Sequence, residues 1–454
     1  MFINVPRHKL KRSLGLFTLC VIGVGGTIGG GIFVLLSPGA AVAGEYLPLS
    51  FLLGGVLAFM GALLYAELGT TIPRSGSSIE LMFSTTRHKY YPFIFSWLVM
   101  LGDVSYLVIN ALGIAFYANF FIAVNPLLLA LGAIALAVLI NLRGIANTGR
   151  VEIFTETTLV MLLLGLVAIA FSSPEFSFAP GEFIAQVPAS ILPIIGGTAL
   201  IFTTFVGYEY IASIAEEAEE PAKNIPKALM ISVVVATAIF ATVSFVAVKV
   251  VPVDELARSD APLLLLAEQL GGVAQFIVIP AALIATAGSL LAATLVSSRR
   301  LYALSRQGYL RSVFSKLNGR DVPHRSVLGV SVLAVFLLLT NSVTFVAYLS
   351  NTVYLIVLIA IAASLLHFRR ARPYLARPFR APFFPWMPIG MIVLASTILL
   401  FVGPMSLAVT FLWAVLGYLV YLMTRINSHR LYYMAWGIVV WLLIMGVLGV
   451  LYLV

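Results

Sequence analysis

Long apolar runs alternate with short polar segments along almost the whole chain. A helix needs about 20 apolar residues to cross the hydrocarbon core of a bilayer, and thirteen runs are close to that length or longer. They cover residues 14–43, 48–71, 92–124, 126–142, 151–171, 190–214, 226–250, 273–304, 326–340, 343–368, 385–402, 406–424 and 431–454. The pattern predicts an all-α polytopic membrane protein with thirteen spans.

The composition agrees with that interpretation. Hydrophobic residues make up 61% of the chain and charged residues 10%, with a mean hydropathy of +1.06. Soluble domains have roughly a quarter of their residues charged. The single cysteine, Cys20, excludes an intrachain disulfide and a cysteine-built metal site. The net charge of +9 is better explained by basic loops on one membrane face than by a nucleic acid partner.

The distribution of basic residues predicts the orientation of the chain. If the N-terminus is cytoplasmic, 25 of the 27 Lys and Arg residues fall in inside segments, and only Lys249 and Arg258 fall outside. A wrong span count would scramble this partition, because one missed crossing inverts every later loop. We therefore expect a multi-pass protein of the cytoplasmic membrane, with the N-terminus inside and the C-terminus outside.

Two of the predicted spans contain residues that weaken a helix. Six glycines lie between Gly23 and Gly31 in span 1, and span 6 contains Gly196, Gly197 and Gly207 together with a pair of threonines. Unwound backbone is tolerated at membrane depth only where protein or a cavity surrounds it. Close helix packing also explains small residues at such spacing. The alternative hypothesis is a broken helix whose free amide groups bind a carboxylate.

A few ionisable side chains fall inside the predicted spans, where they are costly and often functional. Glu209 lies beside the second proposed break and is a candidate for coupling or solute contact. Asp103 in span 3 is a candidate for the same role or for anchoring a backbone break. Glu67 and Glu156 lie near cytoplasmic ends, where solvation or pairing with loop arginines is expected. The histidines fall in predicted loops or, for His367, at the cytoplasmic end of a span, which argues against a histidine metal site.

Six segments resemble the amino acid-polyamine-organocation (APC) transporters, in the order in which that family has them. They are residues 25–33, ALLYAELGTTIPRSGSS at 62–78, NLRGIANTGRVE at 141–152, FVGYEYIASIAEEAEEPAKNIPKAL at 205–229, SSRRLYALSRQGYL at 297–310 and RPFRAPFFPWMPIG at 377–390. The chain is similar to the amino acid permease branch of that superfamily.

The resemblance implies a five-plus-five inverted-repeat (LeuT-like) fold that works by alternating access. The implied organisation is a cytoplasmic N-terminus (1–13), a first repeat (14–171), an external loop (172–189), a second repeat (190–368), a cytoplasmic loop (369–384) and three C-terminal spans (385–454). It also implies that unwound backbone in spans 1 and 6 holds the amino and carboxylate groups of the solute.

Carried over to this sequence, the resemblance assigns a set of solute-binding residues. They are Thr27, Ile28, Gly29, Gly30 and Gly31 for the carboxylate, Phe202, Thr203, Phe205 and Gly207 around the ammonium group, and Asp103 and Tyr106 at the solute side chain. The resemblance also implies a coupling role for Glu209, because many family members have an acidic residue there.

The sequence departs from the family pattern in two places. Several proton-coupled members have a lysine in span 5 that replaces a sodium ion, and this span has none. Sodium bound at Ser289 or Thr294, a proton on Glu209, and exchange without an ion all stay open. The second departure is the thirteenth span, since twelve is usual; it is a candidate peripheral or partner-binding helix.

The resulting hypothesis is a secondary active transporter for amino acids, neutral ones first, driven by protons. It needs no cofactor or metal and is a monomer or a weak oligomer. A carrier or exchanger for cationic amino acids or polyamines, sodium coupling, and a channel are the alternatives. An enzyme is disfavoured, because no nucleophile and base lie together in the predicted spans.

Overall fold

The computed structural model describes residues 14–71, 90–144, 149–174, 176, 190–214 and 217–423. Over those ranges the regular secondary structure is helical, and one isolated bridge joins Leu14 and Ala218. Its α-helices are α1 (Leu16–Thr27), α2 (Gly31–Ala43), α3 (Leu47–Thr71), α4 (Tyr90–Ala118), α5 (Pro126–Leu142), α6 (Gly149–Ser172), α7 (Leu192–Ile201), α8 (Tyr210–Ser213), α9 (Pro221–Val250), α10 (Val253–Arg258), α11 (Pro262–Leu270), α12 (Gly272–Arg306), α13 (His324–Leu338), α14 (Val343–Ala371), α15 (Trp386–Leu399) and α16 (Pro404–Met423). Short 3-10 turns lie at Gly44–Tyr46, Phe202–Phe205 and Ser312–Ser315.

These helices coincide with the predicted apolar runs. Within the described residues, 8 stretches are long and apolar enough to cross a membrane, and four shorter apolar helices accompany them. The first twelve predicted spans each fall on one of these helices or on a helix pair. The thirteenth, residues 431–454, lies outside the described residues. The chain is therefore an all-helical, multi-pass membrane protein.

Side-chain caps begin two of the helices. The Asn125 side chain accepts a hydrogen bond of 2.9 Å from the amide of Leu127, and Pro126 takes the first position of α5, where no amide donor is needed. The Ser342 hydroxyl accepts a bond of 3.2 Å from the amide of Phe345 at the start of α14. Each cap satisfies an amide that the helix itself leaves unpaired.

Helix α4 lies at the centre of the bundle. In its apolar part 89% of the residues are buried, against 22% in the corresponding part of α6. Small and polar residues such as Gly102, Ser105 and Asn110 lie along α4 and allow other helices to approach closely. Helix α6 instead exposes large apolar side chains, including Met161, that suit contact with lipid.

Candidate functional site

The glycine-rich part of span 1 is a true interruption of the helix. Helix α1 ends at Thr27 and α2 begins at Gly31, and the three residues between them are not helical. The Thr27 hydroxyl donates to the carbonyl oxygen of Gly23, one turn earlier in α1, at 2.6 Å. Ile28 is fully buried, and the amide of Gly29 donates to the Thr27 carbonyl oxygen at 2.9 Å. The Thr27 hydroxyl is thus engaged in a hydrogen bond within α1.

Span 6 is interrupted at the predicted place as well. Helix α7 ends at Ile201, a 3-10 turn follows, and Val206 has an extended backbone with φ −68° and ψ 133°. Gly207 then adopts a φ of +132°, which side-chain-bearing residues rarely reach. The Glu209 carboxylate accepts a hydrogen bond of 2.8 Å from the Gly207 amide. The predicted coupling residue therefore also holds the backbone of the break.

The two interruptions meet where Gly207 touches the last turn of α1, which leads into the first interruption. A Cβ atom added to Gly207 would collide with the carbonyl oxygen of Gly26 and would lie 3.1 Å from the amide nitrogen of Thr27. The start of α1 is joined to the chain after α8 too, because the Leu14 amide donates to the Glu217 carbonyl at 3.1 Å and the Glu219 amide donates to the Leu14 carbonyl at 2.9 Å. The structure thus brings together two segments that lie about 180 residues apart in the sequence.

Side chains from α4 and α12 surround the glycines of the first interruption. A Cβ on Gly29 would meet Ser289 Oγ and the Tyr106 hydroxyl, and one on Gly31 would lie 3.0 Å from Thr204 Cγ2. The Gly30 amide donates to Ser289 Oγ at 3.2 Å, and the Tyr106 hydroxyl lies 3.5 Å from the same oxygen. Of the predicted site residues, Gly29 to Gly31, Tyr106 and Ser289 therefore lie together.

Asn110 is a site residue that the sequence reasoning missed. Its side chain is fully buried, and its Nδ2 donates to the Tyr106 carbonyl oxygen at 2.8 Å. Its Oδ1 has no hydrogen-bond partner among the described residues and lies where a Gly30 side chain would be. Buried acceptors without a partner are rare in proteins. The sequence feature that could have identified Asn110 is its polar side chain inside an apolar span, seven residues after Asp103.

Asp103 is bound by two donors. Its Oδ2 lies 3.0 Å from Arg300 Nε on α12, and its Oδ1 accepts a bond of 2.9 Å from the Tyr354 hydroxyl on α14. The side chains of Asp103 and Arg300 are only 6% and 18% exposed. Asp103 therefore has the anchoring role that the sequence left open. It connects α4 to α12 and α14, and it does not hold a backbone break.

The other predicted residues pack around the second interruption or lie beyond it. Phe205 stacks with Phe202, with ring centroids 6.2 Å apart, and packs against Phe240 at 5.2 Å. The Thr203 hydroxyl lies 3.0 Å from Ser350 Oγ on α14. Thr294 donates to the Leu290 carbonyl of its own helix at 2.7 Å. These aromatic rings form core contacts, and Thr203 is bound to another helix.

The number of apolar helices, and the two buried interruptions that they enclose, define a polytopic membrane protein. The amino acid permease family model matches residues 14–443, so the chain belongs to that family, within the APC superfamily. Its function is therefore transport and not catalysis.

Several curated relatives carry transporter names. The chain is 26% identical to the branched-chain amino acid permease BcaP of Bacillus subtilis (strain 168), over 93% of this chain and 95% of that protein. It is 26% identical to the BcaP protein of Lactococcus lactis subsp. cremoris (strain MG1363), over 81% of this chain and 84% of that one. The methylthioribose transporter of Bacillus subtilis (strain 168) is also 26% identical, over 84% and 86%.

Proposed function

We propose that this protein is a secondary active transporter that carries amino acids across the cytoplasmic membrane by alternating access. The observation that carries the proposal is the contact between the two helix interruptions, at Gly26 and Gly207. Their matching places in spans 1 and 6 support a five-plus-five inverted-repeat fold, and the family membership supports amino acids as solutes.

The solute carboxylate is proposed to bind at the start of α2. The first amides of a helix are unpaired and carry a partial positive charge, which favours an anion. In the conformation described here, Ser289 Oγ accepts from the Gly30 amide at 3.2 Å. A bound carboxylate would take over that hydrogen bond and release the serine hydroxyl. Gly29 and Gly31 complete this part of the proposed site.

The solute ammonium group is proposed to bind between Asn110 and span 6. Asn110 Oδ1 is a buried acceptor that a solute N–H donor would satisfy. The backbone carbonyl groups of the 3-10 turn at Phe202–Phe205 lie in the second interruption and supply further acceptors for this group. Gly207 permits the close approach of the two interruptions.

A neutral solute side chain is favoured. The one carboxylate on the same face of α4, Asp103, is paired with Arg300, so it offers no unpaired charge to a cationic group. The relatives named as branched-chain amino acid permeases support leucine, isoleucine and valine as the first solutes to test. A carrier of cationic amino acids or polyamines is the alternative.

Proton coupling through Glu209 is the favoured mechanism. The Glu209 carboxylate lies inside the second interruption and holds the Gly207 amide. A change in its protonation would therefore act on the backbone of the solute site.

Transport by the purified full-length protein in liposomes tests this function. We expect saturable uptake of labelled leucine, counterflow against unlabelled leucine, and stimulation by an inward proton gradient. A channel would instead show conductance without saturation or counterflow. Stimulation by a sodium gradient at constant pH would contradict proton coupling, and counterflow without a response to either gradient would indicate ion-free exchange.

A further inference from the structure

Three polar residues lie on one face of α4. Asp103, Tyr106 and Asn110 are spaced by three and four residues, so their side chains project from the same side of the helix. Tyr106 and Asn110 lie against the glycines of the first interruption. Asp103 lies about 10 Å from Asn110 along the helix axis, given a rise of 1.5 Å per residue. A carboxylate therefore stands next to the proposed solute site, on the helix that lines it.

That carboxylate is neutralised from within the protein. Arg300 Nε lies 3.0 Å from Asp103 Oδ2, and the Tyr354 hydroxyl lies 2.9 Å from Asp103 Oδ1. Both charged side chains are largely buried, so removing one of them would leave the other charge uncompensated. Glu209 interacts electrostatically with both Asp103 and Arg300, so a second carboxyl group belongs to the surroundings of this arginine.

The guanidinium group of Arg300 is also the group that a cationic amino acid would carry. A planar guanidinium or an ammonium group is a good partner for a carboxylate. In a variant without the Arg300 side chain, the space beside Asp103 Oδ2 would be open, and a solute arginine or lysine could fill it with its own charged end.

We infer that Arg300 is a specificity-determining residue: by pairing with Asp103 it restricts the transporter to solutes with uncharged side chains. The inference rests on the function proposed above. It predicts that loss of the arginine turns Asp103 into a binding partner for cationic solutes, with no change to the groups that hold the solute backbone.

Four forms of the full-length protein test the inference: wild type, R300A, R299A and the double variant D103N/R300A. Arg299 is a matched control, because it carries the same charge at the adjacent position and is exposed. Competition between labelled leucine and labelled arginine for uptake into liposomes gives the arginine-to-leucine ratio. A new charged hydrogen bond should raise that ratio by about tenfold or more in R300A. We expect no rise in R299A and a return to the wild-type ratio in D103N/R300A.

The thermal stability of each variant is measured separately, by unfolding in detergent with and without added arginine. Arginine should stabilise R300A and leave D103N/R300A unchanged. If R300A does not fold, R300Q replaces it, because glutamine removes the charge and keeps one donor. A folded variant with an unchanged ratio, or a gain that persists in the double variant, overturns the inference. Wild-type protein that takes up neither solute would instead refute the proposed function.

Discussion

At the residue scale, the contact between the two interruptions depends on Gly207. Its φ of +132° lies in a region that is essentially open only to glycine, and its missing side chain lets the backbone touch the Gly26 carbonyl. Gly26 lies at the same contact but has room for a methyl group, because an added Cβ would lie 3.4 Å from the Gly207 carbonyl oxygen. The two glycines at one crossing therefore differ in how strictly each is required.

Alanine at these two positions gives a direct test. We expect G207A to lose at least about 2 kcal/mol of unfolding free energy, because backbone strain and a collision with the Gly26 carbonyl add together. G26A should unfold close to the wild-type temperature, because its new methyl group makes ordinary contacts. Thermal unfolding in detergent measures both. Equal stability of the two variants would show that the interruptions are not in contact as described.

At the element scale, an interrupted helix must find partners for the backbone groups it frees. In an apolar surrounding each unsatisfied group costs several kcal/mol. Two side chains satisfy such groups here: Glu209 accepts from the Gly207 amide, and Asn351 on α14 donates to the Leu200 carbonyl. The interruptions are thus stable structures and not local unfolding.

Two substitutions separate the backbone role of Glu209 from its proposed proton role. Glutamine keeps an oxygen that can accept from the Gly207 amide, so E209Q should keep its stability and lose the response of leucine uptake to a proton gradient. Alanine removes the acceptor, so E209A should also lose about 1–3 kcal/mol of unfolding free energy. Proton-driven uptake by E209Q would refute the coupling role. An E209A protein as stable as wild type would refute the backbone role.

At the scale of the whole molecule, one buried carboxylate joins distant parts of the chain. Glu67, at the end of α3, accepts from Arg369 Nε on α14 at 2.8 Å and from the amide of Ala381 at 2.8 Å. Arg377 Nε lies 3.5 Å from the same carboxylate, and Glu67 is only 1% exposed. Of the two environments expected from the sequence, pairing with loop arginines is the one found. The predicted cytoplasmic loop is thereby fixed to the first half of the chain.

Removal of this carboxylate should therefore be costly. We expect E67A to lose about 3–5 kcal/mol of unfolding free energy, because two arginines would be left without their buried partner. The control is E220A, which breaks the exposed pair between Glu220 and Lys223 and should change stability little. Unfolding of both variants in detergent is compared with wild type. If E67A is no less stable than E220A, the buried pair does not hold the loop.

The sequence by itself determined where the helices lie and where two of them break. Apolar runs of membrane-spanning length and the glycines at Gly23–Gly31 and Gly207 are local signals, because span length and helix propensity depend on neighbouring residues alone. For the same reason, residues 14–71 and 190–214 were predicted well as helices with interruptions. Glu209 was also found beside its break from the sequence alone.

Only the tertiary structure decided which polar groups meet. Arg300 reaches Asp103 across 197 positions, Ser289 reaches Gly30 across 259, and Arg369 reaches Glu67 across 302. Such pairs depend on how each helix is rotated and which helix lies beside it, and an apolar pattern that is nearly uniform around the helix does not encode either. Asn110 was missed for this reason. Its importance comes from the Gly30 backbone beside it, which the packing of α2 against α4 brings into place.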